Sequence, residues 1–103
     1  MKNEYRISAK ALEDIDKIWL YNLENWSLNQ ANHYYRLIYQ EIEFILEDFE
    51  GGKDIGEIKS GYRQFRVKSH LIIYKKAEDG IVEIVRVLHQ MMYILINYER
   101  NGT

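Results

Sequence analysis

A chain of 103 residues, 47% hydrophobic and 29% charged, has room for one domain, 1–103, and is too apolar to stay disordered. It has no cysteine, which excludes disulfides and thiolate metal sites, and neither a bilayer-length apolar run nor a signal-peptide pattern, which together suit a cytoplasmic protein. The net charge of −2 hides an asymmetry: residues 1–57 carry six Lys/Arg against twelve Asp/Glu, and residues 58–103 carry eight against four.

Glu4 to Ser8 alternates, with Tyr5 and Ile7 on one face, and predicts a short strand. Ser8 stands as N-cap to a helix over 9–25. Its apolar stripe is Leu12, Ile15, Trp19, Leu23 and Trp26, and Glu13, Asp14 and Asp16 suit the dipole early in the helix. "SLNQ" at Ser27–Gln30 reads as a capping box opening a second helix. Its stripe is Ala31, Tyr34 or Tyr35, Ile38, Ile42, Ile45 or Leu46, and Phe49, and Gly51-Gly52 supplies the permissive backbone for a stop. So short a link predicts an antiparallel helical hairpin. Lys53 to Gly61 reads as an irregular connection anchored by Ile55 and Ile58.

Tyr62–Val67, His70–Lys76 and Ile81–Leu88 are β-branched and aromatic runs that predict strands. Asp79-Gly80 predicts a tight primed turn pairing the last two antiparallel. After Gln90, the spacing of Met91, Met92, Ile94, Leu95 and Tyr98 predicts a short helix. The fold class is α+β, in the order β-α-α-β-β-β-(α): a small, mainly antiparallel sheet with a helical hairpin packed on one face.

Chemical signals are sparse. His33, His70 and His89 lack metal-ligand spacing, no nucleophile elbow or phosphate loop is present, and Glu43, Glu47 and Glu50 read as a solvated helix stripe. No metal or cofactor is expected. Arg63, Arg66, Lys68, Lys75, Lys76 and Arg86 fall on one small sheet, where they either contact phosphates or merely keep the sheet from aggregating. Alternation points Arg63 with Phe65 and Val67, and Arg66 with Tyr62 and Gln64. A surplus of +4 in the second half is modest, so direct nucleic-acid binding is not expected. Nine tyrosines and two tryptophans, many on the hairpin, exceed what one buried stripe needs; they suit a protein interface or a tyrosine-rich core rim.

Three stretches, "YRISAKALEDIDKIWLYNLENW", "GYRQFRVKSHLIIYKK" and "IVEIVRVLHQMM", resemble the RelE/ParE superfamily of bacterial toxin–antitoxin toxins, specifically its ParE branch. The likeness covers nearly the whole chain. It implies a RelE/ParE-like fold and a non-enzymatic toxin that inhibits DNA gyrase and is neutralised by a ParD-like antitoxin in a hetero-oligomer. The antitoxin is then expected on the hairpin near Trp19, Leu23, Trp26 and Tyr35. Target inhibition is expected in the tail, at His89, Gln90, Met91, Met92 and Tyr93. Two alternatives stay open. One is a RelE-type mRNA endoribonuclease using Arg63, Arg86, His89 and Tyr93. The other is a degenerate toxin that keeps only antitoxin binding, since Met91 and Tyr93 stand where ParE relatives commonly carry a cation and an anion.

Overall fold

The computed structural model describes residues 4–92. In chain order the elements are β1 (Tyr5–Ile7), α1 (Ala9–Asn25), α2 (Leu28–Glu47), a 3-10 turn (Phe49–Gly51), β2 (Lys53–Asp54), β3 (Tyr62–Val67), β4 (His70–Lys76) and β5 (Val82–His89). They form one five-stranded sheet in the order β1-β5-β4-β3-β2, antiparallel except where β1 lies parallel to β5. The helical hairpin covers one face. The expected tail helix beyond Met92 lies outside the described residues.

Both helices begin as the sequence predicts. Ser8 Oγ accepts from the Ala11 amide and Ser27 Oγ from the Gln30 amide, each at 3.0 Å, which satisfies amides that have no partner inside the helix. Residues of α2 at helical spacing, Ala31, Ile38, Ile42 and Ile45, are fully buried against Phe65, Val67, Ile72, Tyr74, Ile84 and Val87 of the sheet. On α1 the buried positions are Ala11 and Ile15, with Ile18 packed beside them, while Leu12 is 45% exposed. The buried face is therefore rotated from the stripe read in the sequence. Two apolar stripes run along α1, and the smaller one, starting at Ala11, fits closely over β5.

Three local readings are corrected. The segment read as irregular contains β2, whose Lys53 and Asp54 pair with Gln64 and Arg63. Two polar residues give no alternation from which to detect a strand. Asp79-Gly80 makes a three-residue loop in place of a primed turn: Gly80 N–H donates to Ala77, Ala77 N–H to Ile81, and Gly80 alone has positive φ, +84°. Gly52 is extended at φ −78°, so its role is space: a Cβ there would overlap the Tyr74 hydroxyl.

The second sheet face is partly covered by residues 55–61. Ile55 is buried there with Leu71 and Ile73, and Ile58 and Tyr62 pack alongside.

Candidate functional site

The two ends of the sheet are built differently, and the difference locates the site. At the end where α2 finishes, Tyr74 Oη donates to Phe49 O at 2.7 Å and its ring meets Phe49 edge-on. Arg63 Nη1 donates to Gly52 O at 2.7 Å and Glu50 O at 3.3 Å, and the Phe49 ring meets both the Arg63 guanidinium, 5.6 Å from its centre, and the Lys76 ammonium, 4.6 Å from it. Arg63 is thus spent on closing a corner.

At the opposite end, α1, the hairpin turn and the end of β5 leave a groove of about 680 Å³. Ile18, Tyr21, Trp26, Tyr34, His70 and Met92 are among its lining residues. Trp26 is 72% exposed and Tyr21 53%. Tyr34 Oη lies 3.1 Å from Val67 O and 2.6 Å from His70 Nδ1. The phenol has one proton to give, so whether His70 Nδ1 donates to Tyr34 Oη or accepts from it follows the imidazole tautomer. Burial, then the neighbouring His89, pushes the His70 imidazole down to about 4, so it is neutral at physiological pH. Asn22 lines the groove too, and its buried Nδ2 has no hydrogen-bond partner.

The His89-Gln90 pair now has a structural meaning. His89 Nδ1 accepts from the Met91 amide at 3.1 Å, capping the turn that follows β5. Gln90 N–H donates to Ser69 O at 2.8 Å, and its side-chain oxygen accepts from Arg66. The pair therefore fixes the direction in which the chain leaves the sheet. Met91 is 56% exposed and Met92 50%, while Tyr93 lies outside the described residues.

Arg86 is equally committed. Its Nε and Nη2 bond both oxygens of Asp14 at 2.8 and 3.0 Å, and Asp14 Oδ2 also accepts from the Val87 amide at 3.0 Å. β1 covers β5 only over Val82–Ile84, and a bulge follows where Ile73 pairs with Arg86 but Tyr74 with Ile84. Asp14 satisfies the amide this leaves at the edge. The carboxylate read as a helix-dipole partner thus clasps α1 to β5, and no spacing in the sequence announces it.

Arg86 and His89 both line the groove, but Arg63 does not join them. Arg63 sits four residues along β3 from Val67, whose partner His70 faces His89, a separation of roughly 13 Å of strand. Of the hairpin residues expected to bind a partner, Trp26 and Tyr35 are exposed, Leu23 is half-buried, and Trp19 Nε1 donates to Asn32 Oδ1 at 3.0 Å, stitching α1 to α2. Tyr35 stacks at 5.0 Å on Tyr39, whose hydroxyl is pushed up to about 12 by burial and then by its hydrogen bond to Tyr35. Among the described residues no cluster of three or more potential metal ligands occurs, and no helix is long and apolar enough to cross a membrane.

Residues 5–93 match the family model described as ParE toxin of type II toxin-antitoxin system, parDE. The chain belongs to the ParE toxin family. Toxin ParE1 of Caulobacter vibrioides is 39% identical over 88 residues, covering 85% of this chain and 90% of that protein. Toxin ParE1 of Mycobacterium tuberculosis is 32% identical over 92 residues, covering 89% and 94%. A solved structure described as the chromosomal ParDE TA system from P. aeruginosa superposes with a TM-score of 0.73 over 85% of this chain and 96% of that one. At 13% identity this last likeness shows the ParE fold alone.

Proposed function

We propose that this ParE-family toxin acts in the cytoplasm as a non-enzymatic inhibitor of DNA gyrase, held inert by a ParD-like antitoxin seated on the helical hairpin and its groove. The reading rests on one observation above others: the groove between α1 and the end of β5 is walled by exposed Trp26, Tyr21 and Met92 and adjoins the chain's exit from the sheet. Apolar surface of that kind, at the root of the inhibitory tail, is what a neutralising partner covers. Antitoxin contacts are assigned to Trp26, Tyr35 and the partly buried Trp19 and Leu23, and target contacts to residues 89–93.

An inhibitor needs no catalytic cluster, and the partners of Arg63 and Arg86 accord with that. Purified protein is expected to block gyrase supercoiling or trap cleaved DNA, and to be released from that effect by the ParD-like protein. Absence of inhibition at large molar excess rejects the gyrase assignment. If Arg63→Ala and His89→Ala abolish growth arrest together with mRNA cleavage, a ribonuclease replaces it.

Exposed Met91 favours a second reading, a degenerate toxin that retains antitoxin binding only. There, wild type binds antitoxin without arresting growth, and Met91→Arg restores arrest.

A further inference from the structure

The charge asymmetry of the sequence becomes a segregation of surfaces. Residues 9–47, the helical layer, hold three Lys/Arg against seven Asp/Glu. Residues 58–77, the β3–β4 ribbon and its approach, hold Lys59, Arg63, Arg66, Lys68, Lys75 and Lys76 and not one carboxylate. Among the described residues the salt bridges are Arg6–Asp79, Lys10–Glu13, Lys17–Glu13 and Arg86–Asp14, and none involves the ribbon. The ribbon's recorded partners are neutral. Arg63 bonds backbone carbonyls, Arg66 a carbonyl and an amide oxygen, and Lys76 lies 4.6 Å from the Phe49 ring centre. None of the six cations forms a salt bridge among the described residues.

On the face away from the helices, the Lys59 and Lys75 ammoniums stand 5.0 and 5.4 Å from the Tyr62 ring centre, and Arg66 is exposed on the same strand face. Lys53 of β2 joins that face in register with Gln64. The carboxylates near it are Asp54, which pairs with Arg63, Glu57, which shares a hollow with Lys53 and Gln64, and Glu83, opposite Lys75.

We propose that the β3–β4 ribbon, chiefly Lys59, Arg66, Lys68 and Lys75, contacts the phosphate backbone of duplex DNA. Charge complementarity carries the choice of a polyanion, since a dense row of phosphates gains most from clustered cations that have no salt bridge to break. Tyr62 narrows it. Single strands are held by stacking bases on free aromatic faces, and two ammoniums already crowd this ring, so contact runs through the backbone without reading sequence. This surface borders the antitoxin groove at Lys68, which shares a hollow with Asn22, Trp26 and Tyr34, while Lys59 and Lys75 lie on the other face of the sheet; it goes beyond gyrase inhibition, which does not require it.

Fluorescence anisotropy of purified full-length protein with a labelled duplex of about 20 base pairs, titrated from about 50 to 200 mM salt, tests the proposal. Binding is expected, with a log–log salt slope of roughly −3 to −4 for about four phosphates. Lys59→Gln/Lys75→Gln should weaken binding tenfold or more at the lowest salt and flatten the slope by about 2, whereas Lys10→Gln/Lys17→Gln on α1 should leave both unchanged. Circular dichroism melts confirm that each variant is folded. No binding by wild type, equal weakening by the α1 pair, or equal displacement by polyglutamate of matched charge overturns the proposal. A parallel supercoiling assay separates the readings: duplex binding without inhibition removes only the gyrase assignment, and inhibition without duplex binding removes only this one.

Discussion

The two ends of the sheet make different uses of the same kinds of residue. Near the end of α2, arginine, tyrosine and phenylalanine close on backbone carbonyls and on each other, leaving a smaller hollow of about 320 Å³ beside Phe49 and Lys76. Beside β5, tyrosine, tryptophan and two histidines stop short of closing and line an open groove. Aromatic content therefore does not distinguish core from interface in this molecule. What distinguishes them is exposure: Tyr74 is fully buried at the closed end, whereas Tyr21 and Trp26 stand open to solvent at the other.

Breaking the closed end should cost most. Gly52→Ala drives a methyl into the Tyr74 hydroxyl and should destabilise by about 3 kcal/mol in urea unfolding, and Tyr74→Phe should recover part of that in the double variant. Full additivity of the two changes would deny the clash. Next, Asp14→Ala removes the clasp and leaves a half-buried guanidinium and a strand amide without their partner. A loss of about 2 kcal/mol is expected, together with faster hydrogen exchange at Val87.

The open end should instead respond to pH. With a folded pKa near 4 against an ordinary 6.5, His70 stays neutral in the folded chain while the unfolded chain takes up a proton first. Its contribution is complete above pH 6.5 and is lost as the pH falls toward 4. Solvent in the groove limits the loss to about 1–2 kcal/mol. Melts of wild type and His70→Gln across that range should converge as the pH falls; parallel curves would remove histidine as the cause.

Trp26→Ala should change stability by less than about 0.5 kcal/mol yet weaken capture of the ParD-like protein at least tenfold. Calorimetric titration reads the two effects apart. The smallest effect is expected at Lys68, the only non-glycine with positive φ among the described residues, at 54°. Lys68→Gly should raise the melting midpoint slightly, by about 0.5 kcal/mol or less in stability, because relieved strain is partly offset by a freer unfolded chain.

Much of this arrangement was legible because its signals are local. Ser8 and Ser27 cap where their spacing says, α1 spans the expected 9–25, and β3 and β4 have the expected bounds. The long-range devices were not. Asp14 meets Arg86 across 72 positions of sequence, Tyr34 meets His70 across 36, and the space Gly52 must yield belongs to a tyrosine on another strand. Of the site, Trp26 and the His89-Gln90 exit could be named in advance as exposed aromatic and strand end. Their partners could not, since which stripe of α1 faces the sheet depends on the fit of Ala11 and Ile15 over β5.

The parallel pairing of β1 with β5 has a consequence for synthesis. Among the described residues β1 has no other neighbour in the sheet, and the Asp14 clasp waits for the amide of Val87. The first strand therefore has no sheet partner, and the first helix only its packing on α2, until β5 has been made. Contacts of such wide sequence separation form late. A toxin built in this way gains its working shape only when β5 has been made and both the first strand and the first helix can close on it.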